Sequence, residues 1–349
     1  MHDFIQRVVR QALHERRLVG VEVMVAHHGQ TLYHQAAGYA DRETQRPMTL
    51  NTRFRLASVS KPIVTTAAMV LVQQGKLHLD EAITRYLPDF TPPLPNGGQA
   101  TITLRQLMSH SAGLGYRFLE EDANGPYARA GVSDGMDASG VTLNENVRRI
   151  ATVPLLYAPG TAWCYSLAID VLGAVIEQVQ GQPLDMAIKT LVTGPLAMHN
   201  TAFALAPQQE VATAYVNDQP EPHRLQEGEF VAPFENTVGI CYSPSRVYNS
   251  QAYPSGGAGM IGTVGDMMRL LETLRSGGGS LLAPEWVAEM GRDQIAPHEL
   301  PDAPAWALDW AFPFFAIHNS PPRRNPPAPG AGVAPTATPG LSTRSRHSA

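Results

Sequence analysis

The sequence is short of cysteine, of long apolar runs and of charge imbalance, and each shortage removes a class of function. Two cysteines, Cys164 and Cys241, stand in 349 residues. They lack C-x-x-C spacing, so neither a zinc site nor a dithiol redox site is indicated, and an inert thiol at each position is expected. No run of about 18 apolar residues occurs, so no membrane span is expected. The opening stretch MHDFIQRVVRQALHERRL is broken by charge where a secretory signal would be apolar, which points to a cytoplasmic protein. The formal net charge is -5 and the pI near 6.2, a balance that implies neither a nucleic-acid nor an anionic-membrane partner.

What is present reads as globular. The chain is 44% hydrophobic and 16% charged, the texture of a packed protein. Its length suits one large domain or two closely joined ones. Phe4, Val8, Ala12 and Leu13 share one face at helical spacing, which predicts an amphipathic helix over 2–15. VEVMVAHHGQTLYHQAAG predicts a hairpin turning at His28-Gly29, and TRFRL at 52–56 a further strand. VSKPIVTTAAMVLVQQGKL predicts an apolar helix ending at Gly75.

From Leu79 the pattern breaks into short helical pieces, and Leu119 to Gly140 reads as a polar, glycine-rich surface excursion near a cleft. Helices are predicted over 166–180 and in PLDMAIKTLVTGPLAM, then a loop-rich region to residue 250. PSGGAGMIGTVGDMMRLLETL is a glycine-rich turn running into a helix. Gly256, Gly257 and Gly259 leave no Cβ in the way of a close approach, and Asp266 sits where a carboxylate caps a helix or complements its dipole. The order predicts an α/β (α+β) fold. An antiparallel sheet flanked by helices would come from 1–75 plus 251–310, with a mainly helical domain, 76–250, inserted and a ligand cleft between them.

Ser58 and Lys61 stand at S-x-x-K spacing in ASVSKPIVTTAAM. On a helix these positions share a face, so the amine approaches the hydroxyl. Serine is a poor nucleophile without a base, and lysine serves as one when burial or a nearby cation lowers its pKa. The motif is weak by itself, since the two residue types meet by chance in many exposed first turns. Its setting between a strand and an apolar helix strengthens it, and Pro62 is tolerated in a first helical turn. Two decoys are set aside. S-H-S-A-G around Ser111 is not G-x-S-x-G, and His110 reads as a structural residue at a helix end. His27 and His28 read as exposed turn residues without metal partners.

Four segments together resemble class C β-lactamases and related esterases: FRLASVSKPIVTTAAMVLVQQGKLHLDEAITRYLP, TITLRQLMSHSAGL, YAPGTAWCYSLAIDVLGAVIEQVQGQPL and GGAGMIGTVGDMMRL. They cover residues 50 to 272 in matching order. The resemblance implies that Ser58 is the acylated nucleophile, Lys61 its partner base and Tyr165 the second landmark. A tyrosine of depressed pKa beside a lysine would relay a proton to the leaving group, and which of the two deprotonates Ser58 stays open. Alternatively, Tyr165 is a half-buried core aromatic with a structural hydroxyl.

Class C β-lactamases carry Y-x-N, whose asparagine binds the substrate's acylamide. Here the triplet is Tyr165-Ser166-Leu167, and Leu167 offers an amide no hydrogen bond. The esterases of this resemblance share Y-S-L. The leading expectation is therefore a carboxylesterase for small, short-acyl esters, needing no metal or organic cofactor. A β-lactamase or D-amino-acid peptidase is the second expectation, and a catalytically impaired binding protein the third.

The third expectation rests on the C-terminal end. The family has a third motif, K-T-G or W-G-G, on a late edge strand whose N–H supplies half of the oxyanion hole, worth about 3 kcal/mol. No such triplet follows Gly262, and residues 318–349 read as a proline-rich tail without an acid, so the last strands of the sheet are expected to be missing or altered. A shifted reading frame is the alternative. With suitable codons, residues 329–343 read from the third base of the Pro329 codon encode W-R-W-G-G-A-Y-G-H-S-W-L-V-D. That predicts one base lost or gained within 305–328.

Overall fold

The structure is a computed structural model that describes residues 1–294. It opens with helix α1, His2–His14, followed by strands β1, Gly20–His27, and β2, Gln30–Asp41. Their two-residue turn has φ of +49° at His28 and +78° at Gly29, the doubly left-handed turn that matches strand twist. Strand β3, Arg46–Pro47, completes an antiparallel sheet ordered β1-β2-β3. Strand β4, Phe54–Arg55, leads through a single 3-10 turn, Ala57–Val59, into helix α2, Ser60–Gln73.

The regular elements in the middle of the chain are mostly short helices joined by long loops. Helices α3, Leu104–Met108, α4, Pro126–Arg129, α5, Leu143–Ala151, α6, Ala168–Gln180, and α7, Leu184–Ile188, precede two small antiparallel ladders. These pair β5, Tyr215–Val216, with β6, His223–Arg224, and β7, Glu229–Val231, with β8, Ile240–Tyr242. Strand β9, Ile261–Gly262, returns to pair with β4, and helices α8, Val264–Arg275, and α9, Pro284–Gly291, follow. Helices α1 and α8 pack on the β1–β2 sheet. The result is a mixed α/β architecture with a helix-flanked antiparallel sheet.

The core centres on α2 and α6. Every residue of α2 from Ser60 to Val72 is buried, and so is every residue of α6 from Ala168 to Ile176. Side chains of α3, α5 and α7 close around α6. Such all-round apolar helices belong inside a fold rather than on its surface.

Three expectations change. The α1 stripe is only partly covered by described residues: Ala12 is buried, but Phe4 and Val8 remain 64% and 47% exposed. Residues 119–140 are a surface excursion only in part: Glu121 to Asn124 are exposed, whereas Tyr127, Val132, Ser133 and Asp134 are buried. The polar groups of Ser133 and Asp134 are satisfied internally. Asp134 accepts the N–H groups of Arg117 and Phe118, and Asn146 bridges to Ser133. Asp266 lies in the first turn of α8, where its carboxylate complements the dipole, but it is not the cap. Thr263 is, with its hydroxyl accepting the Asp266 N–H, while the Asp266 carboxylate binds the Asn200 N–H and the Thr201 hydroxyl. The expected third motif, the missing or altered strands, the 318–349 tail and the shifted frame all lie outside the described residues.

Candidate active site

Ser58 is set in place by the β4–β9 ladder. The Leu56 N–H bonds the Met260 carbonyl at 2.8 Å, and the Met260 N–H returns to the Ser60 hydroxyl at 3.1 Å. Arg55 anchors β4 from the other side through the carbonyls of Ala212 and Pro244, at 2.7 and 2.6 Å. Between these anchors Ala57 adopts φ of +45°, a left-handed conformation that costs a non-glycine residue energy and persists where the surroundings impose it. The turn leaves Ser58 partly exposed, whereas Lys61, one turn on, is fully buried.

The S-x-x-K spacing does what a helical face requires: Lys61 Nζ lies 3.1 Å from Ser58 Oγ. Its second partner is the Gly257 carbonyl at 2.8 Å. The Nζ also stands 4.5 Å from the centre of the Tyr165 ring and 5.6 Å from that of Tyr116. Burial holds the Lys61 pKa well below the ordinary lysine value, and the charge of Asp170 opposes that fall.

Tyr165 reaches the same oxygen from the loop before α6, donating its hydroxyl to Ser58 Oγ at 2.5 Å. Its loop is fixed mainly by His110. The His110 carbonyl accepts the Cys164 N–H at 3.0 Å, and Nδ1 accepts the Ser166 N–H at 3.2 Å. The His110 ring lies 4.9 Å from the Tyr165 ring. His110 is thus the structural residue expected from sequence, and burial keeps its imidazole neutral. The expectation of a depressed tyrosine pKa is not met. Burial raises the Tyr165 pKa, outweighing the bond to Ser58, so the phenol stays protonated through neutral pH.

The glycine-rich segment is needed for space. A Cβ on Gly256 would meet the Ile169 carbonyl oxygen at 2.6 Å, and one on Gly257 an Asp170 carboxylate oxygen at 2.5 Å. Leu167 is fully buried in the core, so it brings no amide-binding group to the site. Cys164 is a free thiol whose pKa burial pushes up to about 11, which keeps it inert. His27 and His28 are exposed. Among the described residues no group of three or more His, Cys, Asp or Glu side chains is placed to hold a metal ion, and no helix is long and apolar enough to cross a membrane.

Sequence reasoning missed Asp170 and Tyr116. Both are buried beside Lys61 and Gly257. A lone acid inside the apolar run SLAIDVLGAVI was the available signal for Asp170.

A serine hydroxyl held between a buried amine and a buried phenol has a proton acceptor on one side and a proton donor on the other. On this fold, that defines a class, the β-lactamase-fold serine hydrolases. The chain belongs to the Beta-lactamase family, whose model matches residues 5–314. It is 46% identical to esterase EstB of Burkholderia gladioli over 308 residues, covering 88% of this chain and 78% of that esterase. Its fold superposes on EstCE1, a hydrolase with promiscuous acyltransferase activity, with a TM-score of 0.84 and 45% identity, covering 88% of this chain and 80% of the other. A lovastatin esterase of Penicillium rubens is 26% identical over 84% of this chain and 73% of its own.

Proposed function

We propose that the chain is a carboxylesterase for small, short-acyl esters that carries the acyl group on Ser58. The observation that carries this reading is the convergence of Lys61 Nζ and the Tyr165 hydroxyl on Ser58 Oγ, at 3.1 and 2.5 Å. The likeness to EstB and EstCE1 supports an ester substrate, as does the apolar Leu167 in the place of an amide-binding asparagine.

Ser58 Oγ attacks the ester carbonyl carbon as its proton passes to Lys61 Nζ. Lys61 is the better base of the two, because burial favours its neutral form and disfavours the Tyr165 phenolate. The bond to the alcohol oxygen then breaks as Tyr165 gives that oxygen its proton and recovers one from the Lys61 ammonium. Water attacks the acyl-enzyme in the same way, giving one proton to the pair, and Ser58 leaves reprotonated with the acid released. The sheet unit of 1–75 with 251–310, closed over a helical insertion at 76–250, belongs to the same proposal, supported as far as residue 294 by the β4–β9 pairing. So does a cytoplasmic location, which the two free thiols support.

Hydrolysis of p-nitrophenyl butyrate by the parent chain and by Ser58→Ala tests the reading. Activity lost in the variant, with its thermal melt unchanged, is the expected result. Equal rates in both would reject Ser58 as the nucleophile.

A further inference from the structure

Asp170 is a buried charge without an evident purpose. It stands in the first turn of α6 and is 0% exposed. Neither carboxylate oxygen makes a hydrogen bond of good geometry among the described residues, although the Ser255 hydroxyl and the Gly257 N–H lie near enough to favour its charge. Leaving a buried carboxylate so poorly satisfied is costly, and an acid at a helix start needs no burial to complement the dipole. Its surroundings suggest what it does there. One carboxylate oxygen lies against Gly257, at 2.5 Å from where a Cβ would stand. The carbonyl of the same Gly257 accepts the Lys61 ammonium at 2.8 Å. Carboxylate and amine therefore flank one glycine, with no side chain between them at that residue.

We propose that Asp170 is a positioning residue whose negative charge is the counter-charge of Lys61 and sets the pH range over which Lys61 works as a base. The proposal rests on the reading of Lys61 as the base for Ser58. Burial raises the Asp170 pKa, while Ser255, Lys61, Arg246 and the Gly257 N–H favour its charged form. The other groups facing it are the phenols of Tyr116, Tyr165 and Tyr253, which stay neutral because burial raises each of them. Arg246 is a second cation acting on Asp170, and its guanidinium is engaged by the carbonyls of Asp137 and Tyr253. Beside Lys61, among the described residues, stand also His110 and the phenols of Tyr116 and Tyr165, each held neutral by burial. Asp170 is thus the dominant charge that Lys61 meets. Without it Lys61 loses its proton at a lower pH.

The test is the pH profile of kcat/KM for p-nitrophenyl butyrate, whose acid limb reports the base of the free enzyme. Asp170→Asn keeps the shape and removes the charge. Asp170→Ser, smaller and still polar, serves if the amide does not fold, and a thermal melt verifies each variant. The acid limb is expected to move down by about one pH unit, the usual effect of removing a neighbouring charge, with KM nearly unchanged. A folded variant whose limb stays in place, while Lys61→Ala is inactive, overturns the role of Asp170 and leaves Lys61 as the base. A Lys61→Ala variant that keeps both its activity and the limb overturns the reading of Lys61 instead.

Discussion

Replacing Tyr165 with phenylalanine removes one oxygen and little else. The ring remains beside Tyr116 and His110, with centroids 5.4 and 4.9 Å away, and Lys61 Nζ remains near its face at 4.5 Å. What disappears is the hydroxyl 2.5 Å from Ser58 Oγ. Stability should change by about 1 kcal/mol, the net worth of one hydrogen bond. Activity should change far more. General acid catalysis contributes about 10²–10⁴-fold, or about 3–5 kcal/mol at 1.36 kcal/mol per decade. The loss should also depend on the leaving group. An alkoxide needs the Tyr165 proton, whereas p-nitrophenolate departs without one. The assay is kcat and KM for ethyl butyrate and p-nitrophenyl butyrate, parent against Tyr165→Phe. The alkyl ester should lose kcat by at least about tenfold more than the aryl ester, with KM nearly unchanged. An equal loss on both esters, or a loss below about tenfold on the alkyl ester, refutes Tyr165 as the proton donor.

The double variant Lys61→Met, Asp170→Asn should be inactive yet folded. It should resist urea at least as well as the parent, since both buried charges and their desolvation cost are removed together; a clear loss of stability contradicts this. Asp41→Asn should destabilise the fold by about 1–2 kcal/mol at pH 7. Burial alone would raise the Asp41 pKa, but the Thr213 hydroxyl, Thr44 and Arg224 bring it down to about 2. A lowered folded pKa gives stability that is present above the unfolded value and lost as pH falls through the folded one. The difference between parent and variant in thermal melts should therefore shrink from about pH 4 to pH 2, and a constant difference contradicts it. Sequencing the encoding DNA should find one base lost or gained within 305–328, with W-G-G codons in the shifted frame. An uninterrupted gene without them removes the shifted-frame reading.

The parts of the site that were legible are the local ones. Ser58 and Lys61 follow from a three-residue spacing across the 3-10 turn and the start of α2, and the glycine segment from its lack of side chains. The strand TRFRL and the His28-Gly29 turn were equally local. Tyr165 needed the resemblance, because its place is set from far along the chain by His110 and by the Gly115 carbonyl that holds Leu167. Asp170 was hidden because an acid in a first helical turn ordinarily signals a dipole, and only packing against Gly257 separates the two readings. The buried part of 119–140 looked solvated because its polar content was visible and its internal partners, such as Asn146 for Ser133, were not.

The central claim is a covalent acyl group on Ser58. Rapid acid quenching during p-nitrophenyl butyrate turnover, followed by intact mass and peptide mapping, tests it most directly. The account predicts one butyryl group on the peptide containing Ser58, absent from Ser58→Ala. Steady turnover by the parent with the butyryl group on another residue, or with none detectable even when Tyr165→Phe slows its release, would contradict it.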